Sequence, residues 1–257
     1  MRAMFLSVFL MTSALAFADP TLDKEIIDLS QKATPTIEEN ARFNALLKEI
    51  SDTNKSLFHF ILGETYYFGV YRELDLGLAV GHLISSLKAD PFNSRANYLL
   101  GAIYAVEQSY FDKVLAVKHL KLASDSGDAD AVNNLYHLYQ RGWLNRAEVL
   151  PYLISYKATN DDVALAYAQE QITLCSENML NTCMTELSNF LLDHEFMHRK
   201  GDAAFLLAKI YSSTNSPVFD AKKRDFYLNR AAELGNKEAV KVLNGYKKFL
   251  RSEAKNQ

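Results

Sequence analysis

The residues His194-Glu195-Phe196-Met197-His198 form an HExxH pattern, and no other stretch of the sequence sets out a comparable catalytic group. On a helix this spacing places two imidazoles one turn apart with a carboxylate between them. Such a set binds zinc and turns a zinc-held water into a nucleophile. Gly201 stands where longer versions of the pattern carry glycine, but their third ligand would fall at Ala204, which has no donor atom. Glu233 or Glu238 could supply one from further along the chain. A zinc-dependent hydrolase with His194 and His198 as ligands and Glu195 as base is one expectation. Cys175 and Cys183 are the second reactive pair. Their spacing is too wide for CxxC redox chemistry, and in an oxidising compartment an even pair closes a disulfide. The sequence has neither a Gly-rich phosphate loop nor a Gly-x-Ser-x-Gly elbow, so no cofactor is expected.

Helices must position these residues. The chain has 257 residues with 10 glycines and 5 prolines, which suits a helical protein with short turns. Hydrophobic residues make up 49% and charged residues 23%, an ordinary globular balance. A net charge of -3 is too weak for a nucleic-acid surface. The first residues, MRAMFLSVFLMTSALAFADP, read as a secretory leader. Arg2 is the positive end, Met4 to Leu15 the apolar run, and Ala16-Phe17-Ala18 the cleavage site. Residues 1–18 are therefore expected to be removed, leaving a periplasmic or secreted protein. No cysteine follows the cleavage site for a lipid anchor, and no later run is apolar for long enough to span a membrane.

The stretch Leu100–Gly142 shows how the rest is built. Leu100-Gly101-x-x-Tyr104 opens one helix, here termed helix A of a pair. Ala116-x-x-His119-Leu120-x-x-Ala123-x-x-x-Gly127 forms the second, helix B, and Ala131-x-x-x-Leu135-x-x-x-Tyr139 starts the cycle again. Leu62, Leu100 and Leu135 are 38 and 35 positions apart, Leu207 follows two steps of 36 later, and Leu243 one more. A period near 36 of paired helices is the signature of a helical-hairpin array. The glycine after each leucine marks a close approach of two helices. The tyrosines Tyr66, Tyr104, Tyr139 and Tyr211 are expected to pack between helices.

The A helices are expected at Leu57–Phe68, around Leu100, around Leu135, at Val163–Thr173 and around Leu207. The B helices are expected around Leu83, at Asp112–Ser126, at Arg146–Lys157, at Cys183–Lys200 and at Lys222–Leu234. Pro151 should delay or kink the third of these. Residues 19–56 should form capping helices, with Thr34 and Pro35 opening the second. Residues 57–244 should form about five hairpins, degenerate over 144–200, and residues 245–257 the final helix end and a frayed tail. Counting back from Gly201 as the end of a helix B puts His194 at the core position of Leu120. That phase argues against zinc at His194.

Leu100-Gly101-x-x-Tyr104, Ala123-x-x-x-Gly127-Asp128-Ala129-x-Ala131 and Arg230-Ala231-Ala232-Glu233-Leu234-Gly235-Asn236-x-x-Ala239 resemble the Sel1-like repeat family, relatives of the tetratricopeptide repeats. The resemblance implies an all-α fold, a right-handed superhelical solenoid of antiparallel helix pairs. It also implies a non-catalytic protein–protein scaffold or adaptor in the bacterial envelope. A narrower version is an immunity protein that neutralises a toxic effector delivered to the periplasm. Partners of such arrays lie on the concave face lined by the A helices. Projecting the helical phase puts Glu64, Tyr67, Arg95, Tyr98, Asn133, His137, Gln140 and Arg141 on that face. Asn, His and Arg together suit a peptide backbone or a carboxylate. The expected partner is another protein or peptide, with no nucleic acid.

Overall fold

Side-chain caps set the helix boundaries. The computed structural model describes residues 20–177, 181–212 and 218–253. The leader, residues 1–18, and the last four residues of the expected tail lie outside the described residues. The described residues form two units, one ending at Trp143 and the other beginning at Leu144.

In the first unit, α1 (Pro20–Ser30) and α2 (Ile37–Thr53) precede the repeats. Helix α2 opens at Thr36, not at Thr34-Pro35. Thr36 and Glu39 form a reciprocal capping box, which satisfies two backbone donors where Pro35 offers none. Helix α3 (Lys55–Phe68) starts on the Asn54 cap and stops at Gly69, whose φ of 70° closes the turn without a Cβ clash. Helix α4 (Leu76–Ala89) starts on Asp75 and ends at Asp90, before Pro91. The second pair is α5 (Ser94–Val106), capped by Asn93, and α6 (Lys113–Asp125), capped by Asp112. A single 3-10 turn, Gln108–Tyr110, lies between them. Helix α7 (Ala129–Gln140) begins on Asp128 and is followed by Gly142 at φ 73°.

The second unit begins with α8 (Arg146–Tyr156), which carries Pro151 inside it. It does not start late: a second capping box, Asn145 with Glu148, fixes its first turn ahead of the proline. Helices α9 (Asp161–Glu177) and α10 (Asn181–Asp193) follow, then α11 (Lys200–Ser212), α12 (Ala221–Glu233) and α13 (Lys237–Glu253). Helix α10 stops seven residues short of the expected end at Lys200. Gly201 therefore ends no helix. It lies in the first turn of α11, where an added Cβ would sit 3.0 Å from the Leu234 carbonyl oxygen. At the C-terminus, helix continues through Glu253, so residues 251–253 are not a frayed tail.

The first two hairpins close by the same device. Gly63 and Gly101 sit against helix B leucines; an added Cβ would lie 2.7 Å from Cγ of Leu83 and of Leu120 respectively. The absent side chain lets the helices approach, and the leucine fills the seam. Four residues after the leucine of helix A, a tyrosine meets the residue that precedes the leucine of helix B. Tyr66 stacks on His82, Tyr104 on His119 and Tyr211 on Tyr227, with ring centroids 5.7, 5.8 and 5.7 Å apart. Between α9 and α10 the same positions hold Tyr167 and Phe190, edge to face at 5.4 Å. This stack identifies α9 as a repeat helix with Val163-Ala164 in place of Leu-Gly. Tyr167 falls 28 positions after Tyr139 and 44 before Tyr211, so the fourth pair is shifted early within an unchanged double step. Cys175 and Cys183 form a disulfide between α9 and α10, with Cα atoms 5.8 Å apart.

Candidate functional site

The HEFMH residues lie in the loop between α10 and α11, not on a helix. The aromatic register explains the misplacement. Phe190-Leu191 occupies the places of His119-Leu120, so His194 corresponds to Ala123 and falls just past the helix end, not at Leu120. Here Phe196 is buried in the core of the second unit, while Glu195, Met197 and His198 are exposed. The backbone N–H groups of Met197 and His198 both donate to Asp161 Oδ2, at 3.0 and 2.8 Å. The His194 ring lies 3.5 Å from Asp161 Oδ1. The loop is thus fastened to the first turn of α9, and the helical spacing that gives HExxH its zinc geometry is missing. Among the described residues no three His, Cys, Asp or Glu side chains are grouped to hold a metal ion.

The eight residues projected onto the A-helix face all belong to the first unit. They separate into an inner and an outer set. Glu64 is buried, accepts a hydrogen bond from Ser30 Oγ at 2.9 Å and faces Arg95 at 3.9 Å. Burial pushes its carboxyl above the usual range, with Arg95 and the Ser30 hydroxyl pulling the other way. Tyr67 and Tyr98 are also buried, and Arg95 is largely covered. Burial raises the Tyr98 phenol, as do the nearby charges of Asp130 and Asp128, while a hydrogen bond with Asn134 opposes them. Asp128 is pushed up to about 6 by burial, against the Ala131 N–H and Arg95. These groups form a polar seam across consecutive A helices, α3, α5 and α7, reached at its near end by Ser30 of α1.

The outer set lies on the last turns of α7. His137, Gln140 and Arg141 are exposed, and Asn133 is half-buried. His137 Nδ1 lies 3.3 Å from Gln140 Oε1. This turn offers donors and acceptors to solvent, whereas the inner set is engaged within the protein. Sequence phase placed Glu64, Tyr67 and Tyr98 on the right helices but could not show that neighbouring A helices cover them. It also missed Ser30, Asp128 and Asn134 as members of the seam. Asp128 carried a readable signal: an acidic residue after Gly127, three before Ala131, is an N-cap. Ser30 carried none, because only the fold brings it to Glu64.

No helix among the described residues is long and apolar enough to cross a membrane. No protein-family model matches the sequence, and comparison with curated proteins gives no match. Among solved structures, the chain is similar to a Sel1 repeat protein from Oxalobacter formigenes, with a TM-score of 0.61 at 20% identity over 88% of each chain. The capped helix pairs, the glycine–leucine seams and this likeness agree: the chain has the all-α fold of a Sel1 repeat protein.

Proposed function

We propose that this protein is an exported scaffold of the bacterial envelope that holds another protein or peptide on the A-helix face of its first unit. The observation that carries the reading is the contrast on that face. A buried, mutually satisfied polar seam fixes the A helices in place, and beside it the last turns of α7 present His137, Gln140 and Arg141 to solvent. A rigid base with exposed hydrogen-bonding groups suits recognition of a peptide backbone or a carboxylate. Export is supported by the leader-like residues 1–18 and by the Cys175–Cys183 disulfide, which needs an oxidising compartment to persist.

The test is capture from an envelope extract on the immobilised chain, compared with Arg141→Glu. The charge reversal is expected to cut recovery of the partner at least about tenfold. It should leave the melting temperature nearly unchanged, because exposed substitutions away from packing rarely exceed about 0.5 kcal/mol. Undiminished capture by Arg141→Glu, with loss on substitution of an exposed residue elsewhere, would move the binding face. The narrower immunity role predicts that the captured protein is an exported toxin bound one to one, so capture of any other class would set that role aside.

A further inference from the structure

His59 and His82 face each other across the first hairpin, Nδ1 to Nδ1, at 3.1 Å. The repeat register explains why they meet. His82 occupies the place of His119, and His59 the place of Asn97. In the second hairpin that pair is an ordinary lock, His119 Nδ1 to Asn97 Oδ1 at 2.9 Å. One hydrogen-bonding partner on helix A suffices for the lock, and the first hairpin uses an imidazole where the second uses an amide. An amide oxygen is a poor ligand for transition metals, whereas imidazole nitrogen is a good one.

We propose that His59 and His82 form a binding site for a borderline divalent transition-metal ion, copper(II) foremost, held by both Nδ1 atoms. Metal–imidazole bonds are about 2.0–2.1 Å, so two nitrogens in adjacent positions around one ion lie about 2.8–3.0 Å apart at a right angle and up to about 3.4 Å apart at a tetrahedral one. The observed 3.1 Å falls inside that span. The rings are already fixed: Tyr66 stacks on His82 at an interplanar angle of 4°, and Phe58 meets His59 edge-on. Both histidines are half-buried, which leaves room for water to complete the coordination shell.

Charge selects the class of ion. Among the described residues, the charged side chains that act on the pair are Lys55 on His59 and Arg72 on His82, and no carboxylate of that set acts on either ring. Imidazole ligates a metal through its neutral form, so the pair offers two neutral nitrogens. A site of neutral nitrogens without carboxylates does not suit calcium or magnesium and does suit copper(II), which leads the order of divalent affinities. The same cations repel a dication and keep the hold modest. On binding, the hydrogen shared between the two Nδ1 atoms leaves that nitrogen for Nε2 of its own ring by way of water. Each Nδ1 then gives its lone pair to the ion, and no net proton is released.

Copper(II) titrated into the untagged full chain tests the site by calorimetry and electron paramagnetic resonance. The expected result is one ion per chain with the hyperfine pattern of two imidazole nitrogens. His59→Asn recreates the lock of the second hairpin and so preserves the fold. It should weaken binding about tenfold or more, as should His82→Gln, with unchanged circular dichroism. The joint variant His194→Asn/His198→Asn should bind as the parent does. Absence of bound copper, equal binding by His59→Asn, or loss in the His194/His198 variant would each overturn the assignment.

Discussion

Asp128 does two jobs with one carboxylate. It caps α7 by accepting the Ala131 N–H at 2.9 Å, and it lies buried within the field of Arg95. A cap needs only an acceptor, and asparagine supplies one equally well. The charge is therefore separable from the cap. Burial raises the folded-state value to about 6 from an ordinary 3.8. The folded protein thus binds this proton more tightly than the unfolded chain does. The stability from this site is fully present below the unfolded value and is lost as pH rises through the folded one. Glu64 is shifted in the same direction. Asp128→Asn should flatten the fall in stability between about pH 4 and pH 6, and at pH 7 raise stability by roughly 1–3 kcal/mol. Urea unfolding at a series of pH values checks this, and a variant that keeps the parental slope would show that Arg95 already neutralises the carboxylate.

Between helices, the fold depends on what is absent at Gly63 and Gly101. At Gly101 an added methyl group meets both the Leu120 side chain and, at 3.1 Å, its backbone nitrogen, so the neighbour cannot simply turn away. Gly101→Ala should cost about 1–3 kcal/mol through overpacking. Gly81 is the contrasting case, since it lies within α4 with open space around its missing Cβ. Gly81→Ala should stabilise by about 0.5–1 kcal/mol from helix propensity alone. Thermal melts of the two variants should therefore move in opposite directions. In the fourth pair the seam carries alanine, Ala164, where the first two carry glycine, and the Cys175–Cys183 disulfide adds a covalent tie between α9 and α10. The loop it closes is short, and chain-entropy reasoning gives a contribution of about 2–3 kcal/mol. The joint variant Cys175→Ser/Cys183→Ser should lose that much in denaturant unfolding. An equal loss on reducing the parent protein would confirm that the bond is the cause.

For the whole molecule, local chemistry was enough to set the fold class. Leucine, glycine and tyrosine at fixed offsets dictate close-packed helix pairs, and Asp75, Asp112 and Asp220 announce where the B helices begin. These signals act within one turn or one hairpin, so they can be read without knowing the rest of the chain. The partner face was legible only in outline. Helical phase put Glu64 and Arg141 on one list, yet Glu64 is sealed by Ser30 and Arg95 while Arg141 is exposed. Phase gives the direction of a side chain; it does not say whether another element lies in that direction. The HEFMH motif shows the same limit. Five residues at a helical spacing make a metal-binding pattern only if the backbone is helical there. The early shift of the fourth pair ends α10 at Asp193 and gives the motif's backbone to Asp161. The sequence by itself determined the repeat, its period and the acidic caps that open the B helices, because each rests on contacts between near neighbours in the chain. Only the tertiary structure decided which polar groups are buried, that His59 meets His82, and that HEFMH is a loop, because each depends on residues brought together from separate helices or on where a helix stops.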